Sequence, residues 1–156
     1  MTNPAPKSIH VVLKRDQKFL VNGALIRASN SVHIDLYRSE VLLTPNQILE
    51  DEDVKTPLER LYYFAQQMLI EPEKRADWWR DFYALSISAP LVARAGELTP
   101  VISLILHSDV QTAMTKLRRM IRAERKTSAP SRPNGSAEGA VARSCATVDK
   151  LPITGG

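Results

Sequence analysis

Residues 56–72 carry both the start and the stop of a helix, and they divide the chain into two halves of different character. The Thr56 hydroxyl can accept a hydrogen bond from an orphan amide of the first turn. Pro57 then takes the first helical position, where a missing N–H costs nothing. Glu59 at the third position completes a capping box. Pro72 ends the segment, because its ring cannot follow an uninterrupted α-turn. At about 100° per residue, Leu58, Leu61, Tyr62, Ala65, Met68 and Leu69 gather on one side with Phe64 at the edge, and Glu59, Arg60, Tyr63, Gln66 and Gln67 fall on the other. The residues before this helix read as strand, and those after it read as helix.

On the strand side, residues 8–14 alternate, with Ile9, Val11 and Leu13 on one face and His10, Val12 and Lys14 on the other. Asn22-Gly23 between two short apolar runs is a strong hairpin signal, since both residues tolerate the positive φ of a type I′ turn. Val32, Ile34 and Leu36 alternate with His33, Asp35 and Tyr37, and residues 40–43 add one more short strand. These strands predict an antiparallel β-meander. Residues 48–55 form an acidic connector around Glu50-Asp51-Glu52-Asp53.

On the helix side, residues 73–88 read as a second helix with Ala76, Trp79, Tyr83 and Ile87 at helical spacing, and Trp78, Trp79, Phe82 and Tyr83 as core aromatics. Residues 91–95 suggest a short helix closed by Gly96. Thr99-Pro100 repeats the cap-then-proline start. Ser108 with Gln111 predicts a capping box that opens a last helix running to about Lys126. From residue 127 onward the chain is rich in Pro, Gly, Ser and Ala without apolar periodicity, which predicts a disordered tail. Residues 1–7 read as a flexible arm.

The expected architecture is therefore α+β: an antiparallel β-meander over residues 8–47, an α-helical half over residues 56–126, and a disordered C-terminal tail over residues 127–156. A chain of 156 residues, 44% hydrophobic and 24% charged, suits one globular domain over residues 8–126. The polar start is unlike a signal peptide, and no apolar run approaches the roughly 20 residues that span a bilayer. Cys145 alone allows neither an internal disulfide nor a cysteine cage for a metal. A cytoplasmic location is the simplest expectation, with no membrane partner.

A net charge of +4 and a pI near 9.4 fit an anionic partner, nucleic acid first. The last helix concentrates this charge. Val110, Ala113, Met114, Leu117, Met120 and Ile121 form one face, and Arg118, Arg119, Arg122, Arg125 and Lys126 the opposite one. Such a face can meet phosphates with bidentate guanidinium contacts; the alternative is an ordinary solvated surface whose cations suit the C-terminal dipole. Arg60 and Tyr63, with Gln67, line up on the polar side of the capped helix and could stack unpaired bases, or pack within the protein. Lys14, Arg15 and Lys18 around the first turn could extend a phosphate track. Enzyme signatures are absent: no phosphate-cradling glycine loop, no G-x-S-x-G, no H-E-x-x-H and no Cys-x-x-Cys. His33 and Asp35 share a strand face, so a surface His–Asp pair is expected. No catalytic residue, metal, cofactor or small-molecule substrate is expected.

Leu13-Lys14, Lys18-Phe19 and Asn22-Gly23-Ala24, followed by Thr56-Pro57 with Arg60, Tyr62, Gln66 and Met68, in that order and spacing, resemble the FlbT family of flagellar regulators. Ala113, Lys116-Leu117-Arg118 and residues 121–124 resemble the end of the same pattern, so the likeness covers about residues 8–124. Two departures are Asp16-Gln17, where the family has glycine-glutamate, and Gln111-Thr112, where it has an aromatic pair. The resemblance implies a small non-catalytic bacterial protein that acts after transcription. It would bind the 5′ untranslated leader of flagellin mRNA and promote its degradation, alongside a second small flagellar regulatory protein. In some relatives the output resembles activation. The other reading of the same surfaces is an adaptor that docks a flagellar protein without touching RNA, through the capped helix or the last one.

Overall fold

The computed structural model describes residues 8–129, in which five antiparallel strands precede five helices. The expected arm over residues 1–7 and nearly all of the expected tail lie outside the described residues. The strands are β1 (Ile9–Leu13), β2 (Lys18–Val21), β3 (Ala24–Arg27), β4 (Val32–Leu36) and β5 (Leu42–Leu43). They divide into two small sheets and do not form one sequential meander. β1 pairs with β4 in the register His10 opposite Asp35 and Val12 opposite His33. β2 is the centre of the second sheet, in the order β3-β2-β5. Alternation in the sequence had marked which residues of each strand share a face, but it carries no information on which strand lies alongside.

β2 explains how the halves are joined. Successive residues of a strand point to opposite faces. Phe19 packs with Val11, Leu13 and Ala28 between the two sheets. Leu20 instead joins Leu43 and the helical core. The hairpin between β2 and β3 turns at Asn22 and Gly23 with φ of 45° and 84°, as the dipeptide predicts. The Asn22 side chain also accepts bonds from the Glu40 and Val41 amides at 2.8 and 3.0 Å, which fixes the approach to β5.

The helices are α1 (Pro57–Ile70), α2 (Arg75–Ser86), α3 (Ala89–Val92), α4 (Ala95–Leu106) and α5 (Val110–Ser128). The capping box of α1 is formed by Thr56 and Glu59. α1 packs against both α2 and α5, with Leu58, Leu61, Ala65 and Met68 at the centre of the core. Phe82 is buried, Trp78 and Trp79 are half-buried, and Tyr83 is exposed. Several helix boundaries differ from expectation: α2 is shorter than residues 73–88, and α3 lies ahead of residues 91–95. Gly96 does not close a short helix but lies inside α4, which begins at Ala95 and holds Pro100 in its interior, and the Thr99 hydroxyl bonds back to the Ala95 carbonyl at 2.9 Å. Ser108 adopts a φ of 65° and leaves the cap of α5 to Asp109, whose carboxylate accepts from the Thr112 amide at 3.2 Å. α5 also continues two residues past the expected end, to Ser128.

The polar side of α1 is largely covered. Glu59 and Gln66 are 3% and 1% exposed, and they serve the segment between β5 and α1. The Gln66 amide donates to the Leu49 carbonyl at 2.9 Å and accepts from the Leu49 amide at 2.8 Å. The Tyr62 hydroxyl donates to the Gln47 carbonyl. Residues 44–56 contain only two single 3-10 turns, and side chains of α1 and α5 supply many of the backbone partners that regular structure would.

Candidate nucleic-acid interface

α5 lies across the connector. Val110, Ala113, Met114, Leu117 and Ile121 are buried, as the heptad-like spacing predicts, and the Gln111 amide donates to the Leu42 carbonyl at 3.0 Å. The basic residues on the far side are not equivalent. Arg118 is half-buried and donates to the Asn46 carbonyl at 2.9 Å. Arg125 donates to the Glu59 carboxylate at 2.6 Å. Lys116, Arg119, Arg122 and Lys126 are exposed and form no ion pair among the described residues. The expected five-cation face is thus a four-cation exposed surface, with Lys116 added and Arg118 and Arg125 tethered.

Between α5 and the connector runs a cleft made of two adjoining cavities of about 250 and 290 Å3, with Gln47, Tyr62, Arg118 and Arg122 common to both. Leu43 and Met114 line one end, and Ile121 and Arg125 the other. Tyr62 is 5% exposed. Burial raises its hydroxyl above the ordinary 10.0, only partly opposed by the Arg118 charge, so it stays a neutral donor. The neutral Tyr62 hydroxyl floors the cleft, and the Glu59 carboxylate, held by Arg125, lines only its second cavity; the first cavity, with Arg118, Arg119 and Arg122 on its wall, is the part suited to an anionic group that guanidinium groups can grip.

Glu59 beneath α5 is held by three donors: the Lys55 and Thr56 amides at 2.8 and 3.2 Å and the Arg125 guanidinium. Burial pushes its pKa up, but the hydrogen bonds and charge from Arg125, with those from the two amides, outweigh this and leave it lowered from 4.5.

The remaining candidates are less available. Lys18 pairs with Glu50 at 2.7 Å and lines a separate cavity of about 210 Å3. Asn46 and Ile48 belong to the walls of both this cavity and the cleft, so Lys18 sits on the opposite side of the same connector from Arg118. Lys14 and Arg15 are exposed on the adjoining turn and line none of these cavities; Arg15 lies 3.7 Å from Asp16. Arg60 pairs with Asp51 and lies 5.6 Å from the centre of the Tyr63 ring. Tyr63 in turn meets the edge of Trp78, with ring centres 6.4 Å apart. The stacking face expected of Arg60 and Tyr63 is occupied by the protein's own groups. The acidic connector neutralises two of the expected cations, Lys18 and Arg60.

Sequence reasoning did not place Gln47 or Tyr62 in the cleft. The helical spacing puts Tyr62 on the apolar side of α1, where it is indeed buried. The available signal was its hydroxyl, which needs a partner when buried among leucines.

Comparison with known proteins agrees with these elements. The chain matches the family described as flagellar protein FlbT over residues 9–127, spanning all five strands and almost all of α5. It is similar to a protein of Brucella anthropi described as a probable flagellum biosynthesis repressor, with 39% identity over 75 residues, 48% of this chain and 49% of that protein. Proteins of Brucella ovis and Brucella abortus with the same description share 40% identity over 68 residues, 44% of this chain and 45% of theirs. The aligned region spans about half the length of these curated relatives. No solved structure matches the chain. The family match covers most of the chain and every described element, and the chain belongs to the FlbT family of flagellar proteins.

Proposed function

We propose that this chain is a non-enzymatic post-transcriptional regulator of flagellum biogenesis, which binds the 5′ leader of flagellin mRNA and promotes its degradation by recruiting a ribonuclease. The exposed side of α5 lies along the RNA backbone, with Lys116, Arg119, Arg122 and Lys126 on phosphates and Arg118 at the mouth of the cleft. The observation that carries this reading is the charge sorting. Lys18, Arg60 and Arg125 are each spent on a carboxylate, whereas the exposed cations of α5 have none among the described residues. A helix surface held this way meets a polyanion without first breaking internal pairs. The relatives described as flagellum biosynthesis repressors support the direction of regulation.

The test is binding of a flagellin leader RNA across a range of salt concentrations, comparing the wild type with the double variant Arg119→Gln/Arg122→Gln. The double variant should bind more weakly at low salt and lose roughly 0.7–0.9 of the logarithmic salt slope per phosphate contact removed. The loss should be similar for unrelated RNA sequences, because phosphate contacts position and base contacts specify. Unchanged affinity and slope would overturn the reading.

One observation favours the second reading, an adaptor for a flagellar protein partner. A groove of about 460 Å3 between α2 and α4 is lined by Pro72, Ala76, Trp79, Ile105 and Leu106, and Leu106 is 63% exposed. The adaptor reading predicts partner capture that is insensitive to both ribonuclease and salt.

A further inference from the structure

The charged groups of the β1–β4 face find partners of their own. The expected His–Asp pair forms across strands, with His10 Nδ1 2.6 Å from an Asp35 carboxylate oxygen, and not between His33 and Asp35. The first cavity of the cleft is different. It encloses about 250 Å3, and its wall holds three arginines, Arg118, Arg119 and Arg122, and no carboxylate. Arg122 lies one helical turn from each of the other two, at the spacings where side chains are neighbours. The bond from Arg118 to the Asn46 carbonyl anchors that guanidinium at the connector. It leaves the charge and the other N–H groups to a ligand.

Polarity changes along the cavity. Gln111, Thr115, Arg118 and Arg122 all line it, and their spacing of i, i+4, i+7 and i+11 makes one stripe of α5, neutral at one end and cationic at the other. Leu43 and Met114, both 2% exposed, lie at the neutral end. Two amides add hydrogen-bonding groups. The Gln111 nitrogen donates to the Leu42 carbonyl at 3.0 Å, which leaves its oxygen to accept. The Gln47 oxygen accepts from the Thr44 amide and hydroxyl at 2.9 and 3.0 Å, which leaves its nitrogen to donate. A recess with apolar walls, one donor and one acceptor suits the edge of a nucleobase. The arginines beside it suit that nucleotide's phosphate.

We propose that this cavity holds the 5′-terminal nucleotide of an RNA by its terminal phosphate. The proposal rests on the RNA reading for the polymer, and on the cavity for the choice of its end. A phosphodiester within a strand carries a single negative charge. A terminal phosphate carries about −1.5 to −2 at pH 7 and presents three acceptor oxygens. Three guanidinium groups around one small cavity are matched by the terminal group, which in a 5′ leader belongs to the first nucleotide. The cavity is smaller than the roughly 300–1,000 Å3 of sites that enclose drug-sized ligands. One nucleotide enters, and the strand continues outside along the exposed side of α5.

The test compares binding of the full chain to three leader RNAs of identical sequence: one with a 5′-monophosphate, one with a 5′-hydroxyl, and one with a 5′-hydroxyl and a 3′-phosphate. The 5′-phosphorylated RNA should bind roughly tenfold more tightly than the other two at low salt, the lower end of what an added charged hydrogen bond contributes. Arg118→Gln should bring that ratio close to one. So should Thr115→Trp, which fills the cavity from an exposed helix position. Lys126→Gln, outside the cavity, should weaken all three RNAs and keep the ratio. Equal affinity for the three RNAs, or an equal gain from the 3′-phosphate, would overturn the proposal and leave the RNA reading standing. Failure of all three RNAs to bind would overturn both. A ratio unchanged in both Arg118→Gln and Thr115→Trp would put end recognition elsewhere and overturn the assignment to this cavity. A nucleoside 5′-monophosphate that binds as tightly as the 5′-phosphorylated RNA would make the cavity a site for free nucleotides and overturn the assignment to an RNA end.

Discussion

Glu59 shows how one residue can serve two levels of structure. Its carboxylate closes the capping box of α1 and also anchors Arg125, 66 residues later in the chain. With its folded pKa below the ordinary 4.5, the folded state holds the charged form more tightly than the unfolded chain does. The resulting stability is fully present above pH 4.5, declines as pH falls through the folded value, and is absent below it. Replacing Arg125 with Gln should cost about 1–2 kcal/mol, because a nearly buried carboxylate loses its charged donor while keeping two amides. Arg119→Gln should stay within about 0.5 kcal/mol. Urea unfolding at pH 7 distinguishes the two, and equal effects would show that Arg125 is no more structural than its neighbour. The Arg125 effect should shrink as pH falls through the folded value of Glu59, since the protonated carboxyl no longer needs the cation. The sequence could not separate these arginines. They share a helix face, and only the fold reveals that a carboxylate on another helix lies under one of them.

At the scale of elements, local chemistry was legible and non-local pairing was not. Thr56-Pro57-Leu58-Glu59 determines the start of α1 within four residues, and the structure follows it. Asn22-Gly23 determines its turn in the same way. The burial of Gln66 was hidden because its partner is the backbone of Leu49, 17 residues earlier. The pairing of β1 with β4 was hidden because intervening strands can equally well lie between or beside them. The start of α5 was displaced for a different reason. The spacing of Ser108 and Gln111 points to Ser108 as the cap, but Ser108 takes the left-handed backbone and the cap passes to Asp109. Because Asp109 supplies the cap bond, Asp109→Ala should lower stability by about 1 kcal/mol. Ser108→Gly should raise it slightly, by about 0.5 kcal/mol, because glycine accepts the positive φ without strain. Thermal melts of the two variants should move in opposite directions, and a destabilised Ser108→Gly would return the cap to Ser108.

At the scale of the whole molecule, β2 ties the sheet core to the helical core through adjacent residues, Phe19 on one side and Leu20 on the other. The two tryptophans, Trp78 and Trp79, both lie in α2 and report only on the helical half. If the halves unfold together, a cavity made in the sheet core should be felt by those distant indoles. Leu13 is fully buried between the sheets, and Leu13→Ala should cost about 2–4 kcal/mol. Its denaturation midpoint should fall equally by tryptophan fluorescence and by far-ultraviolet circular dichroism. A fluorescence midpoint left at the wild-type value would show that the sheets open separately.

The clasp of Gln66 on Leu49 extends this connection in time. An amide in a connector with only single turns of structure would ordinarily exchange its hydrogen with solvent through small local openings. The Leu49 amide has no such independent route, because its acceptor belongs to a side chain that is 1% exposed in the core of α1. Its hydrogen is released only when the connector lifts off α1 or α1 itself comes apart. Leu49 should therefore carry the slow deuterium signature of a helix interior from within an irregular segment, and its exchange rate becomes a clock for the opening of the cleft whose wall it helps to form.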